Sequence, residues 1–309
     1  MKLRNLLPIL GPVIVLYIIY TVGFSNILES FNGINLFLIL ASLILIPIYV
    51  GIQTIKWNYL IEKQGNYIDF SYLYKLHYVS LLWSIITPGR IGSFGKVFYL
   101  KEKIKKSLSE SLISIMYDKF VDLLSLFILA IAGSLLILNY ISNIFLVVII
   151  AFILIIFSSW FFLKKERTRF LLKGFYEVLI PKKFKEKVRE GFYSFYNNNL
   201  KKRYLFVPFL LSLLNWILIY TQLYLLALAM SIDINYFYFI LLTSLVTIVS
   251  FLPITIIGLG VREISFITLF SIFNINSDKI VAFSLLSNFL YLLVIFIGYM
   301  FFVKKVVEQ

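Results

Sequence analysis

Long apolar runs separated by short polar segments dominate the chain. A helix of about 20 residues crosses the hydrocarbon core of a membrane, and six runs reach that length. They are Leu6 to Phe24, Leu36 to Ile55, Leu112 to Leu138, Ile144 to Leu163, Leu205 to Met230 and Ile280 to Val303. The pattern therefore predicts an all-α polytopic membrane protein with six transmembrane helices.

Two further apolar stretches are interrupted by proline and glycine. We call Thr87 to Lys96 the first break and Leu252 to Glu263 the second break. The apolar arms on either side of each break are too short to form two full spans, so each pair predicts a re-entrant helical hairpin. Their ranges are Tyr72 to Thr87 with Ile91 to Leu100, and Tyr236 to Leu252 with Val261 to Phe273. Irregular backbone at membrane depth is tolerated only inside protein or beside a wet cavity.

The distribution of Lys and Arg predicts the orientation of the spans. Cations are concentrated in the N-terminus, the segment Lys101 to Lys106, the loop Lys164 to Arg203 and the C-terminus. Lys56 and Lys63 fall on the same side, whereas the loops on the opposite side carry few cations and hold the acids Glu29, Asp233 and Asp278. Since basic loops stay in the cytoplasm, both termini are predicted to be cytoplasmic, in a multi-pass protein of the cell membrane.

This orientation divides the single membrane domain 1–309 into two repeats. Residues 1–140 and 141–309 each read as span, span, hairpin, span, and the two halves have opposite orientations. Such an inverted repeat, with an interrupted segment in each half, indicates a substrate site between the breaks.

The basic cytoplasmic loop 164–203 interrupts the symmetry. It holds 13 Lys and Arg, and Phe184, Val188, Phe192 and Phe195 recur within it at helical spacing. A basic amphipathic helix of this kind lies in the membrane interface. An anchor that only sets orientation is the simpler interpretation.

Composition narrows the possible chemistry. The chain is 61% hydrophobic with a mean hydropathy of +0.94, well above an ordinary globular domain. Its net charge of +14 favours contact with anionic lipid over nucleic acid. The absence of Cys excludes thiol catalysis and thiolate metal sites, and His77 is the one His. We therefore predict no catalytic constellation, no metal and no cofactor.

The first break suits a lipid phosphate. Gly92 lets the backbone approach a ligand, and the half-helix expected from Ile91 presents free N–H groups. Arg90 and Lys96 add positive charge. The alternative is that both cations extend to the headgroup layer without binding substrate.

The second break carries Gly258, Gly260, Arg262 and Glu263. An Arg deep in a bilayer costs about 2.5 to 3.5 kcal/mol and needs a partner or a wet cavity. Candidate partners are a bound phosphate and the acids Asp118 and Asp122, which lie four residues apart on one helix face. A structural pairing of these acids with Lys119 or with the cations of the hairpins is the alternative.

The two breaks together predict one substrate site. We expect Arg90 and Arg262 to line a common cavity, with Asp118 or Asp122 facing it. By contrast, Lys56 and Trp57 are expected at the membrane interface, and Asn215 and Gln222 in bonds between helices.

The breaks also carry a resemblance to a known family. Three motifs of the chain resemble the lysylphosphatidylglycerol synthase transmembrane region. They are Pro88-Gly89-Arg90-Ile91-Gly92, Tyr117-Asp118-Lys119 and Gly258-Leu259-Gly260-Val261-Arg262-Glu263. Many members carry Glu after the first motif and Glu-Arg at the third span, where this chain has Ser93 and Asp118-Lys119. The resemblance implies a stand-alone relative of the flippase half, without the synthase domain that other members carry.

These observations predict a translocase for a lipid or lipid-linked headgroup that bears an anionic phosphate. Membrane lipids are its expected partners. The alternatives are an enzyme on a lipid-linked substrate of polyprenyl or dolichyl type, and an accessory subunit of a synthase or glycosyltransferase.

Overall fold

The structure is a computed structural model in which residues 7–104, 108–162, 165–169, 186, 189, 192–193, 196, 200–252, 255 and 258–307 are described. The predicted amphipathic helix with Phe184, Val188 and Phe195 lies almost entirely outside the described residues. The N-terminal cations Lys2 and Arg4 also lie outside them.

Within the described residues the chain is helical throughout and has no strand. The 3-10 turns are Pro88–Gly95, Lys202–Leu205 and Ser271–Phe273. The α-helices are α1 Leu7–Val22, α2 Phe24–Glu29, α3 Leu36–Lys63, α4 Phe70–Ile86, α5 Lys96–Ile104, α6 Leu108–Leu136, α7 Ser142–Phe162, α8 Phe206–Ala229, α9 Tyr236–Phe251, α10 Val261–Phe270 and α11 Ser277–Val307.

Four of the described helices are long and apolar enough to cross a membrane. They are the segments Leu36–Lys63, Glu110–Leu136, Lys202–Ala229 and Ser277–Phe301, which correspond to α3, α6, α8 and α11. The other two predicted spans coincide with α1 and α7, whose apolar stretches are shorter. The chain is therefore a multi-pass helical membrane protein.

Polar side chains define where several helices begin. The Asn35 carboxamide accepts from the backbone N–H of Phe37 at 3.0 Å and starts α3. Asp69 and Asn235 cap α4 and α9 in the same way, each accepting one backbone N–H at 3.0 Å. Each cap satisfies an N–H group that the first helical turn leaves unpaired.

Antiparallel packing of α3 against α8 forms the centre of the fold. The backbone N–H of Asn35, at the start of α3, donates to the carbonyl of Ala229, at the end of α8, over 3.0 Å. At the opposite ends, Lys56 of α3 and Ser212 of α8 both bind Asp122 of α6. These contacts fix the two helices in opposite directions.

The helices of each half pack against the broken helix of the other half. Helix α6 crosses α9, and α11 crosses α4. Both crossings are close because a glycine lies at each, Gly133 in α6 and Gly298 in α11. A Cβ atom at Gly133 would lie 2.3 Å from the Leu241 carbonyl oxygen, so any side chain forces the helices apart.

We therefore predict that Gly133→Ala destabilises the protein, by about 1 to 3 kcal/mol from the overpacked crossing. The gain in helix propensity, about 1 kcal/mol, is too small to offset that cost. The midpoint of thermal unfolding in detergent, followed by tryptophan fluorescence, measures the effect. Gly51→Ala is the matched control, since its Cβ would meet its nearest neighbour, Tyr74, at 3.9 Å. Equal midpoints for both variants would contradict the close crossing.

Candidate functional site

A cavity of about 120 Å³ lies between the two halves of the chain. Water occupies about 30 Å³ per molecule in the liquid, so the cavity has room for several waters or for a compact polar group. Its lining residues are Tyr49, Gln53, Leu81, Arg90, Trp216, Ile219, Tyr220, Gln222, Leu223, Thr243, Val246, Thr247, Ser250, Arg262, Phe266, Ser287 and Tyr291.

Arg90 reaches the cavity from the first break. Its backbone is left-handed, with φ of 57°, a conformation that costs a non-glycine residue about 1 to 3 kcal/mol. The surrounding turn holds it there: Thr87 Oγ1 accepts from the Gly92 N–H at 2.6 Å and donates to the Trp83 carbonyl at 3.0 Å. The guanidinium carbon lies 4.7 Å from the centre of the Phe251 ring, beside the second break.

Gly92 allows this turn to pack against α4. A Cβ atom there would lie 2.1 Å from the Trp83 carbonyl oxygen, which no side chain can accommodate. The whole segment Pro88–Gly95 is a 3-10 turn, and α5 begins at Lys96. The half-helix predicted to begin at Ile91 therefore begins at Lys96, about a turn and a half of helix later, and the Gly92 N–H is bonded to the Thr87 side chain instead.

Arg262 reaches the same cavity from the second break. Its guanidinium donates to the Ser287 hydroxyl at 2.8 Å and to the Asn288 carboxamide oxygen, both on α11. It also lies over the Phe266 ring, 5.3 Å from the centre. These neutral partners orient the charge without neutralising it.

Glu263 holds the second break in shape. Its carboxylate accepts from the Gly260 N–H at 2.6 Å, from the Ser284 hydroxyl at 2.8 Å and from the Asn288 amide at 3.2 Å. The side chain is fully buried behind α10 and does not line the cavity. It therefore positions Arg262 through Asn288, which contacts both side chains.

The glycines of the second break shape its backbone rather than the cavity wall. Gly260 has a φ of +80°, and a Cβ atom on it would lie 2.5 Å from the Ile14 side chain of α1. Gly258 has a φ of +77°. Both conformations favour glycine, and the close approach lets α1 cover the break.

A cluster of buried charges forms a second polar centre beside the cavity. The Lys56 ammonium lies 3.0 Å from Asp118 and forms an ion pair with Asp122, and it is completely buried. Lys96 lies 3.4 Å from Asp118, and its ammonium is 3.8 Å from the centre of the Trp57 ring. Lys119, at 3.9 Å from both acids, is partly exposed.

The acids of this cluster do not line the cavity, so the expectation that Asp118 or Asp122 faces it is wrong. Lys56 and Trp57, which were expected to face the membrane interface, are fully buried inside the protein. The reason is the same in both cases. Lys56 is drawn inward because it neutralises two carboxylates on α6, and those carboxylates then no longer reach the arginines.

Trp216 connects the cluster to the cavity. Its indole N–H donates to the backbone carbonyl of Asp122 at 3.0 Å, and its ring lines the cavity. The Ser212 hydroxyl donates to the Asp122 carboxylate at 2.5 Å. One helix, α8, thus bonds the acid and contributes a wall of the cavity.

The sequence did not identify three neutral polar residues of the cavity lining as site residues. Gln53 Oε1, Gln222 Nε2 and Thr243 Oγ1 are buried and find no hydrogen-bond partner in the part of the chain that the structure describes. Gln222 was expected to bond another helix. The available signal was a carboxamide at a similar position in each of the spans α3 and α8.

The structure thus sorts the nine predicted site residues into three groups. Arg90 and Arg262 line one cavity. Lys96, Asp118 and Asp122 belong to the buried ion cluster. The remaining four, which shape the breaks, are Gly92, Gly258, Gly260 and Glu263.

Fold and site together define a class: a polytopic helical membrane protein with a cationic cavity between two interrupted helices. The sequence profile of the lysylphosphatidylglycerol synthase TM region matches residues 8–298. The chain belongs to this family, as its motifs predicted. It is also similar to a UPF0104 membrane protein of Methanothermobacter thermautotrophicus, with 22% identity over 91% of this chain and 87% of the relative.

The ion cluster generates a prediction about stability. Lys56→Met leaves two buried carboxylates without their nearest cation and should lower the free energy of unfolding by about 3 to 5 kcal/mol. Adding Asp118→Asn should restore part of the loss, because it removes one of the uncompensated charges. Thermal unfolding in detergent measures both effects.

Lys101→Met is the matched control, since Lys101 is exposed. Removal of an exposed cation changes stability by about 1 kcal/mol at most. A loss at Lys56 no larger than the loss at Lys101 would show that the cluster does not stabilise the fold.

Proposed function

We propose that this protein moves a lipid or lipid-linked headgroup between leaflets and binds an anionic phosphate between its two breaks. One observation carries the proposal. Arg90 and Arg262 line a single cavity, and none of the described residues around it carries a carboxylate. Neither arginine has an acid within ion-pair distance among the described side chains.

The electrostatics of such a cavity favour an anion. Each arginine at membrane depth carries a cost of about 2.5 to 3.5 kcal/mol, and two like charges add mutual repulsion that grows as the dielectric falls. A phosphate between them relieves the repulsion and accepts charge-assisted hydrogen bonds from both guanidinium groups. In this proposal the headgroup occupies the polar cavity, and the acyl or prenyl chains remain in the surrounding lipid.

An inverted repeat of residues 1–140 and 141–309 is part of the proposal. It is supported by contacts that come in matching pairs: α6 with α9 and α11 with α4, then α5 with α6 and α10 with α11. The antiparallel pair α3 and α8 would lie on the axis that relates the halves. On this arrangement six spans enclose two hairpins that enter from opposite faces, which provides alternating access to a fixed site.

We further propose that both termini face the cytoplasm of a cell-membrane protein. The polar ends of the helices support this. At one end, Ser30 bonds Asp278 at 3.2 Å and Asn35 bonds Ala229, close in sequence to Glu29 and Asp233. At the other end Lys63 lies over the Tyr204 ring, beside the basic residues Lys201 to Arg203. The basic end would be cytoplasmic.

Transport is tested with the purified protein in vesicles that contain a trace of fluorescent phospholipid. Arg262→Gln removes one cation and keeps hydrogen-bonding capacity, so we expect the rate of lipid movement to fall about tenfold or more. Loss of fluorescence on adding an impermeant quencher reports lipid that has reached the outer leaflet.

Lys101→Gln removes an exposed cation outside the cavity and should retain the rate. Equal rates in both variants and in empty vesicles would overturn the transport proposal. That result would favour the alternative of a membrane enzyme or an accessory subunit acting on a lipid-linked substrate.

Topology gives a separate prediction. Because the chain has no Cys, a single introduced cysteine can be labelled without background. Asp233→Cys should react with an impermeant maleimide added outside intact cells, whereas Lys63→Cys should react only after the membrane is opened. The reverse pattern would place the basic end outside and contradict the proposed orientation.

A further inference from the structure

The neutral polar groups of the cavity carry information about the headgroup beyond its charge. Gln222 and Thr243 are 4% and 1% exposed, and each has a polar atom with no partner among the described residues. Gln53 has such an atom as well. A buried polar group without a hydrogen bond costs about 1 to 3 kcal/mol, so these three atoms favour a partner inside the cavity, which water or a polar ligand can supply.

The chemistry of these groups defines the complementary ligand. The free atom of Gln53 is an acceptor, that of Gln222 is a donor, and the Thr243 hydroxyl is both. A ligand that satisfies all three must donate and accept within a small volume, which a hydroxyl group does. An ammonium group donates only, and the two arginines that line the cavity would repel it.

Each half contributes the same pair of residue types. The first half supplies Arg90 from its break and Gln53 from α3, and the second supplies Arg262 from its break and Gln222 from α8. The cavity therefore presents two guanidinium groups for an anion and two carboxamides for neutral polar atoms.

We propose that the headgroup is a phosphate esterified to a neutral, hydroxyl-rich substituent, and that Gln53, Gln222 and Thr243 select that substituent. The proposal rests on the function proposed above. Glycerol on a phospholipid and a sugar on a polyprenyl phosphate share this chemistry. Ethanolamine and other ammonium-bearing headgroups do not.

Binding of soluble headgroup analogues tests selectivity independently of transport. The full-length protein in detergent is titrated with inorganic phosphate, glycerol 1-phosphate, glucose 1-phosphate and phosphoethanolamine, and Trp216 in the cavity wall provides a fluorescence signal. We expect one of the two hydroxyl-bearing phosphates, glycerol 1-phosphate or glucose 1-phosphate, to bind more tightly than inorganic phosphate. The gain should be about three- to tenfold for each additional hydrogen bond. Phosphoethanolamine should bind most weakly. Preference for glycerol indicates a phospholipid, and preference for glucose indicates a lipid-linked sugar.

Gln222→Leu identifies the selecting residue. It should reduce the ratio of hydroxyl-phosphate to inorganic-phosphate affinity about three- to tenfold, since leucine cannot bond the substituent while Gln53 and Thr243 remain. The variant should be no less stable to unfolding than the unmodified protein, because the substitution removes an unpaired polar group. Thr221→Val is the control: its hydroxyl is already bonded to the Ile217 carbonyl and Tyr236, and it does not line the cavity. The ratio of hydroxyl-phosphate to inorganic-phosphate affinity in Thr221→Val should equal the ratio in the unmodified protein.

The outcomes separate this inference from the transport proposal. Selective binding without lipid movement would support the inference and overturn translocation. Lipid movement at equal rates for glycerol and ethanolamine headgroups would support translocation and overturn the inference. An unchanged affinity ratio in Gln222→Leu would also overturn it.

Discussion

The pairing of Lys56 with Asp118 and Asp122 is the interaction on which the arrangement of the helices depends. A buried ion without a partner costs several kcal/mol, so α3 and α6 must approach wherever these charges can meet. Ser212 extends the constraint to α8, and Lys96 extends it to the start of α5. One cluster thus sets the packing of both central helices and the position of the helix that follows the first break.

The cavity beside this cluster differs in its charge balance. Around Asp118 and Asp122, cations and carboxylates are in contact and largely compensate each other. Around Arg90 and Arg262, the neighbours are aromatic rings, a hydroxyl and a carboxamide. Direct ion pairs therefore compensate the buried charge in one place, whereas in the other Glu263 reaches Arg262 only through Asn288. Trp216 contacts both places, so a shift of α8 would affect them together.

Backbone with positive φ occurs in both segments that carry the arginines, and also in turns elsewhere, such as those at Ser231 and Asn274. Arg90 itself adopts a left-handed conformation, and Gly260 does so two residues before Arg262. The hydrogen bonds of Thr87 and of Glu263 hold these turns in place. This arrangement fixes the direction of each guanidinium before any ligand arrives, which reduces the ordering cost of binding.

Hydropathy and the position of Pro and Gly in the sequence determined the membrane class, the long spans, the two breaks and the family. These features are local, because the length and polarity of a run decide whether it can cross a bilayer. Arg90 and Arg262 could be chosen as site residues for the same reason, since a cation inside an apolar run is costly wherever it lies. Tertiary structure decided three other features. They are the burial of Lys56, the separation of Asp118 and Asp122 from the cavity, and the unpaired atoms of Gln53 and Gln222. They depend on which helix faces meet across residues far apart in the chain. Hydropathy along a sequence does not specify those faces, because lipid and the protein interior are both apolar.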